Sequence, residues 1–188
     1  MITVTLFGVT VGKRYETKCR NCQLLLTDTD TLFYRIKTEG DVYEDFLKDK
    51  ELFDNSEYPE SSKFFFRENK KVIGKFKDEA AGKPILEFIG LKSKMYSYTT
   101  EEKNDKTAKG VNKNIIKKEI NHSDYRDTFF NNIKMHHQMR SIRTEKHQIS
   151  SYHLSKVSLS PFDDKRYILS DGITSYAYDN KNVKYQKN

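Results

Sequence analysis

Apolar positions along this chain come in short runs broken by polar stretches. That spacing favours strands over long helices. Residues 2–11 alternate weakly and are rich in Val, Thr and Ile, which predicts a strand. Two apolar runs, CQLLLT (22–27) and TLFYRI (31–36), flank Asp28-Thr29-Asp30. This reads as a β-hairpin with two acids at its tight turn. In DVYEDFLKDKELF, Val42, Phe46, Leu47, Leu52 and Phe53 stand near helical spacing, with acids early and lysines late. A helix from Asp41 to Phe53 is predicted, followed by a loop through DNSEYPESS. KKVIGKFKDE and PILEFIGLKSKMYSY return to a strand pattern. In the second run Lys92, Lys94, Tyr96 and Tyr98 share one parity, so Lys94 and Tyr96 are expected to point the same way.

Beyond residue 99 the polar stretch TTEEKNDKTAKG reads as a hairpin-like connection, and a seam between two units is expected near 99–110. NKNIIKKEI and SDYRDTFFNNIKMHH look helical, with Ser123 as N-cap of the second. The remainder alternates over long distances, and Asp171-Gly172 is a hairpin turn signal. No internal repeat shows. The fold class expected is α+β, in two parts, 1–99 and 100–188.

The 188 residues include 12 Tyr and 12 Phe, enough to build a core. No apolar run is long enough to span a membrane. The N-terminus shows neither a positive region nor a cleavage site, so no signal peptide is expected. Two cysteines argue against a disulfide framework and fit a reducing, intracellular compartment. Net charge changes the picture more. The chain carries +7, yet residues 39–60 hold nine acids against two lysines. That segment is −7, so the remainder is +14. A basic body with one acidic segment steers polyanions.

Candidate chemistry starts at Asp28 and Asp30. Asp is common in turns, where it caps local N–H groups. Acids at the tip of an apolar hairpin are also costly unless a donor or a cation compensates them. Alternating carboxylates can share a divalent cation, and Mg²⁺ takes few carboxylates plus water and substrate phosphates. Cys19 and Cys22 have the spacing of half a zinc site; no other Cys exists, and His122, His136 and His137, which could in principle complete it, match no familiar spacing. AAGKPI lacks the first glycine and the hydroxyl residue of a phosphate loop. Lys103, Lys106, Lys109, Lys113, Lys117 and Lys118 cluster around Gly110 with Asp105 as the one acid among them. A solvated face and a nucleic-acid contact are the two readings of such a run; glycine lets backbone approach a phosphate closely.

Several of these segments coincide with one family. LLLTDTDTLFY resembles motif C of family B DNA polymerases, usually Tyr-x-Asp-Thr-Asp-Ser. LKSKMYSY is similar to that family's Lys-x-Tyr motif, and KTAKGVNKNIIKKEI to the segment that follows it in the protein-primed branch. GKFKDEAAGKPILEFIGLKSKMYSY and SLSPFDDKRYILSDGI resemble its viral and Maverick/Polinton-type members. The resemblance covers roughly residues 20–178 and implies a palm hairpin and sheet with packed helices, then a thumb of helices and β-hairpins. It implies DNA-directed DNA polymerisation, with Asp30 as direct Mg²⁺ ligand and Asp28 as its supporting catalytic acid. Lys94 and Tyr96 would hold the primer terminus, and Lys103, Lys106, Lys109, Gly110, Lys113 and Lys117 the DNA backbone. Partners implied are primer–template, deoxynucleoside triphosphates and a terminal protein. Leu26 stands where the family has Tyr, and Thr31 where it has Ser. Motifs A and B, which carry the other acid and the nucleotide-binding residues, do not occur. The chain alone is therefore expected to be an inactive C-terminal piece. The alternative is a non-catalytic DNA-binding remnant of a mobile element.

Overall fold

The computed structural model describes residues 2–7, 22–28, 31–37, 39–162, 166–171, 174–177 and 180–181. Strand β1 (Ile2–Phe7) opens a five-stranded sheet of order β2-β3-β1-β5-β4. β2 (Cys22–Asp28) and β3 (Thr31–Ile36) form the predicted antiparallel hairpin, with Asp28 opposite Thr31. Helix α1 (Val42–Lys48) follows, and Asp41 is its N-cap, accepting from the Tyr43 N–H at 3.0 Å.

The predicted helix to Phe53 stops early. A 3₁₀ turn (Lys50–Leu52) intervenes, and Phe53 enters β4 (Phe53–Asp54), which runs parallel to β5 (Phe76–Asp78). Extending Phe53 lets its ring stack on Phe46, with centroids 4.5 Å apart, and meet Phe76 at 5.6 Å. Aromatic packing outweighs weak helical propensity here. Between β4 and β5, turns replace most of the strand expected from KKVIGKFKDE; the Asp54 carboxylate accepts from the Ser56 and Lys71 N–H groups.

A second sheet has order β6-β7-β8: β6 (Glu87–Lys92), β7 (Met95–Thr99) and β8 (Asn104–Ala108). What reads in sequence as one strand is therefore a hairpin. Lys92 pairs with Met95, and Ser93-Lys94 make the turn, Lys94 at φ 57°. The seam expected at 99–110 falls inside β7–β8, whose strands are hydrogen-bonded across residue 99. Helix α2 (Lys113–Lys118) and helix α3 (His122–Asn131) complete this unit. The α3 N-cap is Asn121 rather than Ser123. Asn121 donates its N–H to the Asp124 carboxylate at 2.6 Å, and Asn132 ends the helix in the left-handed region. The expected continuation through IKMHH is strand instead.

That strand, β9 (Met135–Glu145), pairs with β10 (Gln148–Leu159) in a long ribbon turned by Lys146 and His147, both at positive φ. A short hairpin of β11 (Arg166–Ile168) and β12 (Ser175–Ala177) follows. Asp171 of the predicted turn accepts from the Thr174 N–H and hydroxyl, while Gly172 lies outside the described residues. The protein is thus α+β with mostly antiparallel strands. No helix among the described residues is long and apolar enough to cross a membrane.

Three buried clusters hold the fold. Leu32, Tyr34 and Ile36 project from β3 onto α1, Phe53, Tyr58 and Phe76. Ile89, Met95, Ala108, Ile120, Tyr125 and Leu159 join the second sheet to α3 and β10. Phe33 projects from the other side of β3 onto Ile85 and Tyr98. Strand β3 is buried on both faces, and this is what joins the two sheets.

Phe33 is 1% exposed and meets three rings: Phe88 at 4.8 Å, Tyr96 at 4.9 Å edge-on, and Tyr98 at 5.8 Å. Replacing it should leave a cavity between the sheets. Phe33→Ala is expected to cost about 3–5 kcal/mol, and Phe33→Leu about 1–1.5 kcal/mol. Chemical denaturation followed by circular dichroism checks both; equal midpoints for Phe33→Ala and the parent would refute this packing.

Candidate functional site

The tip of the β2–β3 hairpin comes to rest against the turn of β6–β7. Lys94 Nζ lies 2.8 Å from Asp28 Oδ1, and the Tyr96 hydroxyl lies 3.5 Å from Asp28 Oδ2. The first is a close charge-assisted contact; the second is at the outer limit of a hydrogen bond. Residues 68 apart in sequence are thus brought onto one carboxylate. The Asp28 side chain is only 14% exposed, so the ammonium offsets much of its desolvation.

The convergence expected of Lys94 and Tyr96 is present, but not for the reason the parity suggests. Lys94 is not in a strand with Tyr96. It occupies the left-handed corner of the hairpin turn, where its carbonyl accepts from the Lys109 N–H at 2.9 Å. Tyr96 lies in β7, pinned edge-on to Phe33. Burial pushes its hydroxyl pKa up; Thr107 pulls it down and the Asp28 carboxylate raises it further. The hydroxyl therefore keeps its proton at neutral pH and donates to Asp28. Gly90 opposite Tyr96 has its own role: a Cβ there would stand 3.1 Å from Phe88 and 3.3 Å from Leu26. Its absence lets β6 pass close over the hairpin.

Asp30, the expected direct metal ligand, lies outside the described residues. Among the described residues no three His, Cys, Asp or Glu side chains gather as a metal site. Asp28 is already engaged by an ammonium. This set does not by itself fit a divalent cation. The zinc half-site fares no better. Cys22 is disulfide-bonded, against the expectation of reduced thiols, and Cys19 lies outside the described residues. His122 Nδ1 is 2.8 Å from Ser97 Oγ, and His137 Nδ1 is 2.7 Å from Ser158 Oγ.

The lysine cluster divides by use. Lys106 is half-buried and donates to the Ile120 carbonyl at 2.6 Å, closing the end of the α2 segment. Lys103 pairs with Asp105 at 2.6 Å. Lys109, Lys113 and Lys117 are exposed. Gly110, at φ 84°, offers its carbonyl to Lys156 Nζ at 2.8 Å.

One constellation was invisible in the sequence. Ser97, His122 and Glu87 form a row, His122 Nε2 standing 3.3 Å from Glu87 Oε2. It resembles a nucleophile, base and orienting acid in outline. Ser97 is fully buried and donates to the Asp105 carbonyl at 2.9 Å, so no substrate reaches it. The row ties α3 to β6 and β7. No family model, no curated protein and no solved structure matches the chain.

The Lys94 corner yields a test of the Asp28 contact. Lys94→Ala removes the ammonium and keeps an L residue at positive φ; about 0.5–1 kcal/mol of stability should be lost. Lys94→Gly removes the same charge but relieves about 1 kcal/mol of left-handed strain, so it should unfold near the parent's midpoint. Denaturant midpoints that place Gly below Ala would contradict the assignment.

Proposed function

We propose that the chain contributes a palm-and-thumb portion to a protein-primed DNA-directed DNA polymerase, its partners being primer–template, deoxynucleoside triphosphates and a terminal protein. The observation that carries this reading is the meeting of Asp28, Lys94 and Tyr96 at one hairpin tip. These are the positions that resemble motif C and the Lys-x-Tyr motif, and nothing in a bland α+β domain requires them to meet. In this reading Lys94 and Tyr96 position the primer's 3′ end beside the acidic tip. Lys109, Lys113 and Lys117 contact phosphates, with Gly110 allowing close approach. Mg²⁺ belongs to a full cage to which this chain contributes Asp28 and Asp30 and motif A a further acid. Lys106 and Lys103 serve the fold first.

A second reading has an observation of its own. The Lys94 ammonium already neutralises Asp28 without a metal. That favours a DNA-binding protein with no polymerising activity.

Binding to a primer–template with a recessed 3′ end, compared with a blunt duplex of equal length, separates the two. The polymerase reading expects tighter binding to the recessed end and loss of that preference in Lys94→Ala. Equal binding to both ends overturns it. Both readings expect log affinity to fall with log salt at a slope of about −2.7 for three phosphate contacts; a flat response removes the lysine assignment. The chain alone should not extend a primer, and extension that Asp30→Ala abolishes would overturn the incomplete cage.

A further inference from the structure

The β9–β10 ribbon and the Gly110 loop enclose a concavity of about 650 Å³, well away from Asp28 in sequence. Gly110, Arg140, Arg143, Tyr152 and Lys156 line it, above Met139 and Leu154. Register explains how Arg143, Tyr152 and Lys156 gather. Arg143 pairs with Ser150, Ser141 with Tyr152, Met139 with Leu154 and His137 with Lys156, so these positions share one face of the ribbon. The Arg143 guanidinium lies over the Tyr152 ring, 5.0 Å from its centroid. Lys156 spans to the Gly110 carbonyl and closes one end.

The charge at this face is of one sign. Several other lysines and arginines sit on carboxylates, as at Lys48–Asp45, Lys77–Glu57, Lys94–Asp28, Lys103–Asp105 and Arg126–Glu87. Arg140, Arg143 and Lys156 form no ion pair among the described residues. No acid lines the concavity. Two cations, Arg143 and Lys156, on the same face as a half-buried aromatic ring call for an anion that also carries a flat apolar group.

We propose that this concavity binds an unpaired stretch of single-stranded nucleic acid, its phosphates on Arg143 and Lys156 and one base against the Arg143–Tyr152 stack. The choice of single strand over duplex follows from the ring. A duplex keeps its bases stacked inward and offers phosphates alone, leaving Tyr152 without a partner, whereas an unpaired base presents a π-face that aromatic and guanidinium groups take up. The proposal adds residues outside the lysine set discussed above, and it does not depend on polymerase activity.

Fluorescence anisotropy of a labelled oligothymidylate of about 15 nucleotides tests it. Tyr152→Leu is expected to weaken binding about tenfold, and Tyr152→Phe to leave it unchanged. Arg143→Ala should weaken binding and reduce the salt slope by about 0.7. Arg143 is exposed, so this variant reads the site even where Tyr152→Leu fails to fold. An equal-length duplex should compete poorly. Parent-like binding in both Tyr152→Leu and Arg143→Ala, or a duplex that competes as well as the single strand, overturns the proposal. Single-strand binding without any recessed-end preference would uphold this site while removing the polymerase reading.

Discussion

The double burial of β3 is the constraint on which the rest depends. Leu32, Tyr34 and Ile36 face one core and Phe33 faces the other. Side chains alternate along a strand, so a slip of one residue would exchange the two sets and ruin both cores at once. The register of β3 is therefore fixed from two sides, and with it the height of the Asp28 tip. Phe33 then fixes the partner. By gripping Tyr96 edge-on and Tyr98 at a tilt, it sets β7 against the hairpin. The Asp28–Lys94–Tyr96 contact is the far end of this aromatic stack.

How much was legible follows from which forces were local. The β2–β3 hairpin was legible because its signals are contiguous: two apolar runs and a two-residue polar loop. The α1 start was legible from Asp41. The end of α1 was not, because Phe53 leaves the helix for rings that lie elsewhere in the sequence. The β6–β7 turn was missed because Ser93-Lys94 carries no Gly, Asn or Pro, and a lysine at positive φ is a rare choice held in place by its neighbours. The meeting of Lys94 and Tyr96 was anticipated on a parity that the turn invalidates. Asn131-Asn132 did hold the signal that ended α3, since asparagine tolerates the left-handed corner.

Charge was legible as a total and misleading as a map. Six lysines in a short stretch look interchangeable on the page, yet Lys106 is a structural donor to Ile120 and Lys103 has its own acid. Arg143 and Lys156 meet on a ribbon whose facing positions only the strand register reveals. A basic surface is defined by which ammonium and guanidinium groups the fold leaves uncompensated, and that is decided by pairing across space.

Gly90 and Leu26 constrain each other across the packed hairpins. A methyl at position 90 would press on Leu26 at 3.3 Å and on Phe88 at 3.1 Å. The two positions therefore share one volume, and neither can gain bulk while the other holds its own. Added bulk at position 26 would therefore have to enter the space that Gly90 leaves open, and a side chain at position 90 would call for a smaller one at position 26.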